Sequence, residues 1–162
     1  MSTPRELTMD EVRLTNKKIE KSVILNEDLG RAWWRWTTHE GLKTFFGVDN
    51  KIELKAGGAF EIYFLMENPP GLRGAEGCRV LSYLPEKMLS FSWNAPPDQA
   101  FVRNHAYQTF VVVELESASP QETRVSLTHL GWPEGDAWET AYAYFDPAWE
   151  FVMKRLAEAS GA

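Results

Sequence analysis

The sequence predicts a single α+β domain, β in its middle and closed by a long helix. Two observations carry the β part. HAYQTFVVVELE (105–116) and TRVSLTHL (123–130) alternate apolar with polar side chains, the period of a half-buried strand. Likewise IELKA (52–56) and AFEIYFLM (59–66) flank Gly57-Gly58, a tight-turn dipeptide that reads as a hairpin. The third observation is a stripe of Trp138, Tyr142, Phe145, Trp149 and Val152, whose alternating steps of four and three residues trace one helical face.

Taken in chain order, residues 1–17 are polar and aperiodic, an expected flexible arm, and one domain is expected over 18–160. KIEKSVIL (18–25) sets Ile19, Lys21, Val23 and Leu25 against Lys18, Glu20 and Ser22, a strand with loose facing. Asn26 is placed to cap a short helix, NEDLGRAWWRW, in which Leu29, Trp33 and Trp36 share a face. Thr37 and Glu40 have capping-box spacing, so a second short helix, HEGLKTFF, is expected to bury Leu42, Phe45 and Phe46.

In the strand over 59–66, Phe60, Ile62, Phe64 and Met66 point one way and Glu61 and Tyr63 the other. After the turn-rich NPPGLRG come CRVLSYL (78–84) and MLSFSW (88–93), where Leu89, Phe91 and Trp93 alternate with Ser90 and Ser92. NAPPDQAFVRN reads as a long loop. In the last hairpin, Tyr107, Thr109, Val111, Val113 and Leu115 share one face, and Val125, Leu127 and His129 share another. Asp136 with Glu139 marks the start of the final helix. Pro147 interrupts its donors without breaking the phase of the stripe, so one helix kinked near Ala143 to Asp146 is expected.

Composition narrows the chemistry. The net charge is −6 and no basic run exceeds Lys17-Lys18, which argues against nucleic acid, whose binding needs cationic patches. The single cysteine, Cys78, forms no internal disulfide, no apolar stretch reaches the length of a membrane span, and the opening residues lack a signal-peptide core. A cytoplasmic protein is expected. Phosphate-loop, nucleophile-elbow and paired-cysteine motifs are missing, and His39, His105 and His129 do not fall at metal-ligand spacing, so no metal or cofactor is expected. Gly71, Gly74 and Gly77 repeat every third residue in a loop and read as turn chemistry.

His129 points inward, either as a core histidine or as a group that orients a ligand or acts as a general base. His105 and Tyr107, at a strand start, are either solvated or at a pocket rim. Glu61 and Arg79 suit a surface ion pair across neighbouring strands.

AWWRWTTHEGLKTFFG (32–47), KAGGAF (55–60), PEKMLSFSW (85–93), VVVELE with ETRVSLTHLGWP (within 111–133) and AWEFVMKRL (148–156) follow in an order and spacing that resemble a known family. These stretches are similar to bacterial homologues of the C-terminal domain of the activator of the ninety-kilodalton heat-shock protein's ATPase, within the START-like, or SRPBCC, superfamily. This chain has Ala148-Trp149 where Gly-Trp is common, and Cys78-Arg79 where a Gly and a small residue are usual.

The resemblance implies a helix-grip fold, in which a curved antiparallel sheet of about six to seven strands wraps the long helix, two short helices follow the first strand, and an apolar cavity lies between sheet and helix. It points to an apolar, aromatic or lipid-like small molecule as the partner. Phe60, Ile62, Phe64, Leu89, Phe91, Trp93 and Tyr107 would line the sheet side, Tyr142, Trp149 and Met153 the helix side, and Trp33 and Phe45 the short helices. His105, Tyr107 or His129 would supply orientation. Cyclase-like acid–base chemistry is the alternative, with His129, Tyr107 and Glu61 as candidates, and contact with a chaperone is a third. Monomer and homodimer are both compatible with the acidic surface.

Overall fold

Residues 12–162 are described by the computed structural model. The elements run β1 (Ile19–Leu25), α1 (Leu29–Thr37), α2 (His39–Phe46), β2 (Asn50–Ile52), β3 (Phe60–Ile62), β4 (Val80–Leu84), β5 (Met88–Trp93), α3 (Ala100–Arg103), β6 (Thr109–Ser119), β7 (Glu122–Leu130) and α4 (Asp136–Ala159). Five strands form a curved antiparallel sheet in the order β1-β7-β6-β5-β4, and β2 pairs with β3 as a separate hairpin. An isolated bridge between Ala59 and Arg79 fastens that hairpin to the edge at β4.

Register explains the core. Ile19 pairs with His129, His129 with Val111, Val111 with Phe91, and Phe91 with Val80, so one inward row crosses all five strands. A second row sets Leu89, Val113 and Leu127 side by side. α4 lies over this face and buries Trp138, Ala141, Phe145, Trp149, Met153 and Leu156. Each large side chain so buried contributes about 1.5–3 kcal/mol.

α4 is one continuous helix through Pro147. The proline and Ala143, whose carbonyl loses its donor, are both exposed, so the freed oxygen faces solvent. Lys21 of β1 reaches Asp146 at 2.7 Å and Glu150 at 3.0 Å, tying both sides of the proline to the sheet edge. The hydrogen bonds to Asp146 and Glu150 raise the Lys21 pKa.

Several boundaries differ from expectation, each for a local reason. Asp28, not Asn26, caps α1 by accepting from Arg31 N at 2.9 Å. Thr38, not Thr37, caps α2 by accepting from Gly41 N, while the Thr37 hydroxyl donates back to the Trp33 carbonyl. β3 ends at Ile62 rather than 66, because the Ile62 carbonyl accepts from Ala75 N and Gly74 packs against it. A Cβ on Gly74 would stand 2.4 Å from that oxygen. Phe64 and Met66 therefore leave the strand and are exposed.

β6 begins at Thr109 rather than 105. Tyr107 N donates to His105 Nδ1 and the Gln108 side-chain amide donates to the His105 carbonyl, which curls the chain before the ladder starts. The single turn of α3 lies within the stretch read as loop.

The expected arm over 1–17 falls outside the described residues as far as residue 11. Beyond it, Leu14 bridges to Pro133 and Thr15 N donates to the Trp132 carbonyl at 2.8 Å.

Two arginines hold the corners of the fold. Arg35 makes a bidentate pair with Glu27, both bonds 2.7 Å, and also donates to Thr44 Oγ1 and the Ala159 carbonyl. Arg103, also buried, donates to the carbonyls of Gly71, Gly74 and Ala95, which shapes the loop between β3 and β4. The buried thiol of Cys78, near the end of that loop, is pushed up to about 12 by desolvation.

Candidate functional site

Four aromatic rings from four parts of the chain close into a circuit. Phe46 stands on the last turn of α2, Phe64 just beyond β3, Trp93 at the end of β5 and Trp149 in the middle of α4. Consecutive centroids lie 6.0 Å (Phe46–Phe64), 6.5 Å (Phe64–Trp93), 5.3 Å (Trp93–Trp149) and 6.4 Å (Trp149–Phe46) apart. All four line a cavity of about 220 Å³, together with Phe45, Phe145, Ala148 and Val152. Tyr144 (48% exposed), Phe151 (61% exposed) and Arg155 complete its mouth along the outer flank of α4. A smaller hollow of about 120 Å³ shares Phe64, Trp93, Tyr144 and Phe145 and extends over Asn94 to Pro97.

Local sequence explains the placement. Gly47 ends α2 in the left-handed conformation, with φ of 73°, and turns the chain away directly behind Phe46. The early end of β3 swings Phe64 out of the sheet. Tyr144, Ala148, Phe151 and Arg155 repeat at helical spacing beside the buried stripe and so face the rim.

His129 sits behind the Trp149 wall, fully buried. Trp149 Nε1–H donates to its Nδ1 at 3.0 Å. An indole only donates, so Nδ1 accepts and Nε2 carries the proton, which it gives to Thr109 Oγ1 at 2.8 Å. The Thr109 hydroxyl donates onward to the Trp93 carbonyl at 3.3 Å, and Trp132 Nε1–H donates to the His129 carbonyl at 3.0 Å. Burial pushes the His129 pKa down to about 3, which keeps the ring neutral. Its chemistry is to orient an aromatic wall. Both ring nitrogens are engaged, and it is not among the residues lining the cavity.

Of the residues expected to meet a ligand, Phe45, Phe64, Trp93 and Trp149 come together at the cavity. Phe60, Ile62, Leu89, Phe91 and Met153 are buried in the packed core, where Phe60 stacks on Phe91 at 3.9 Å. The space between sheet and helix is thus occupied by side chains, and the open volume lies at its rim.

Trp33 packs near Tyr83. Tyr142 packs on Trp132 and donates to the Lys18 carbonyl. His105 lies against Phe101 and Trp138, and Tyr107 donates to the Gly131 carbonyl at 2.6 Å with its phenol pKa raised by burial. Glu61 accepts from Tyr63 Oη at 2.6 Å and Gly77 N at 2.8 Å instead of pairing with Arg79. Desolvation first, then that bond, raises the Tyr63 pKa. Sequence reasoning missed Phe46, Tyr144, Phe145, Ala148, Phe151, Val152 and Arg155 as site residues. The signal available was the second helical row, with Phe151 an apolar residue on an otherwise polar flank.

Among the described residues, no group of three or more His, Cys, Asp or Glu is arranged to hold a metal ion, and no helix is long and apolar enough to cross a membrane.

No curated protein matches the chain in sequence. Solved structures share the fold. Protein MLL2253 from Mesorhizobium loti is 20% identical, with a TM-score of 0.67 over 88% of this chain and 96% of that one. The Aha1 dimer from Colwellia psychrerythraea is 20% identical, with a TM-score of 0.64 over 88% and 95%. PFC0360w, an HSP90 activator from Plasmodium falciparum, is 16% identical, with a TM-score of 0.61 over 82% and 86%. Likeness at these identities speaks for architecture, here the helix-grip arrangement of sheet and long helix. The sequence profile named Activator of Hsp90 ATPase homolog 1-like protein matches residues 28–161, from the cap of α1 to past the end of α4, and the chain belongs to that family.

Proposed function

We propose that this protein binds a small aromatic or alicyclic molecule in the rim cavity between α2, Trp93 and α4. The closed circuit of four rings carries this reading. Such a surface offers edges and faces to an incoming ring and little that would hold water.

Volume sets the ligand size. An apolar cavity of roughly 150 Å³ accommodates benzene, and drug-sized ligands take roughly 300–1,000 Å³. The 220 Å³ here suits one substituted ring or two fused rings. Ligands of that size reach affinities on the order of micromolar to millimolar. His129, Tyr107 and Glu61 do not line the cavity, so binding takes precedence over acid–base catalysis as the reading of this site.

The test is titration of naphthalene-type ligands followed by protein NMR, with Ala148→Leu as the comparison. Ala148 is half-buried on the cavity wall, and the larger side chain fills it while keeping a good helix former. Saturable shifts at Trp93, Trp149 and Phe46 in the wild type, weakened at least tenfold by Ala148→Leu, are expected. Absence of saturation at millimolar ligand, or equal affinity in the variant, overturns the reading.

A further inference from the structure

We propose that the ligand is an aromatic anion, with its ring system in the cavity and its carboxylate held by Arg155. The proposal rests on the cavity being a ligand site and adds the charge of what enters it.

Arg155 is the one charged residue in the cavity lining. The other well-placed arginines are committed. Arg35 is saturated by Glu27, Thr44 and a carbonyl, Arg103 by three carbonyls and Glu76, and Arg31 lies 3.8 Å over the Trp34 ring. Among the described residues, the Arg155 guanidinium has no hydrogen-bond or ion-pair partner; the nearest aromatic face is that of Phe151, 5.9 Å away. Glu158 lines an adjoining hollow with Arg155 and Lys154 without closing an ion pair.

The guanidinium is also given room. It lies over Gly47, where a Cβ would stand 3.1 Å from Nη2, so any side chain at position 47 would crowd it. Position 47 is the left-handed cap of α2, and the carbonyl end of that helix favours a cation beside it. The group is held at the mouth with its donors unspent, in a chain whose net charge is −6.

An aromatic circuit alone would also suit a cation, as in cages that bind quaternary ammonium groups. A guanidinium at the entrance opposes a cationic ligand and offers a carboxylate two parallel charge-assisted bonds. The ring–carboxylate combination uses both halves of the site, whereas a cation uses one half against the other.

Three isosteric probes separate the possibilities: 2-naphthoate, 2-naphthamide and 2-naphthylmethylammonium, titrated by calorimetry at low salt into wild type and Arg155→Gln. Arg155 is exposed, so the variant is expected to fold, and circular dichroism verifies this. The expected result is naphthoate tighter than naphthamide by roughly tenfold to thirtyfold, the preference abolished in Arg155→Gln, and partly kept in Arg155→Lys. Equal binding of naphthoate and naphthamide to the wild type, or a preference that survives Arg155→Gln, overturns the anion assignment and leaves the cavity as a neutral-ligand site. Tightest binding of the ammonium overturns it in favour of a cation cage. If none of the three binds, the cavity reading falls along with it.

Discussion

Acidification should destabilise this protein through one buried imidazole. The folded His129 pKa lies at about 3 against an ordinary 6.5, because burial disfavours the charged ring. Below pH 6.5 the unfolded chain takes up a proton that the folded chain refuses, so stability falls as pH falls through that window and levels off near pH 3. The slope is about 1.4 kcal/mol per pH unit, or about 2 kcal/mol lost on going from pH 6.5 to pH 5. Other groups titrate in the same range, so the measurement is a difference. Urea unfolding is followed between pH 7.5 and pH 5 for wild type and for His129→Gln, whose amide offers an acceptor to Trp149 and a donor to Thr109. Wild type should lose about 2 kcal/mol more than the variant over that range. Parallel curves would refute the claim that a neutral, sealed His129 links the sheet to α4.

Two further perturbations probe the frame. Arg35→Ala leaves the Glu27 carboxylate buried beside an empty space and should cost about 3–5 kcal/mol in urea unfolding, whereas Glu27→Leu with Arg35→Met should recover most of it. Pro147→Ala restores a donor for the Ala143 carbonyl on the exposed side of α4 and should stabilise by about 1–2 kcal/mol, read as a raised Tm; a lowered Tm would show that the helix needs its proline.

Much of the architecture was legible because its signals are local. β6 and β7 alternate cleanly, since each is paired on both sides within the sheet and buries one face. α4 was legible through Pro147 because the apolar stripe ignores it, and the structure places the proline on the wet side. The end of β3 was not legible, because it is decided by Gly74 and Ala75 arriving from a loop a dozen residues later.

The site was half legible for a related reason. Strand alternation marked Phe64 and Trp93, and helical spacing Phe45 and Trp149, as large apolar groups worth placing. Neither has access to the 3.9 Å stack of Phe60 on Phe91, which with its neighbours fills the space expected to be open and leaves the free volume at the rim. His129 was read as inward-facing, and so it is. Its partner Trp149 lies twenty residues on, across the helix–sheet contact, where no sequence spacing reports it.

The shared hydrogen bond between Trp149 and His129 constrains how this protein can acquire a new ligand preference. Changing Trp149 to enlarge the cavity strands a ring nitrogen in the core, so the inner wall is locked to the stability of the whole fold. Ala148, Tyr144, Phe151 and Arg155 carry no such obligation. Divergence within this architecture, or a laboratory selection imposed on it, is channelled to the outer flank of α4, where new recognition can be tried one residue at a time while the core stays as it is.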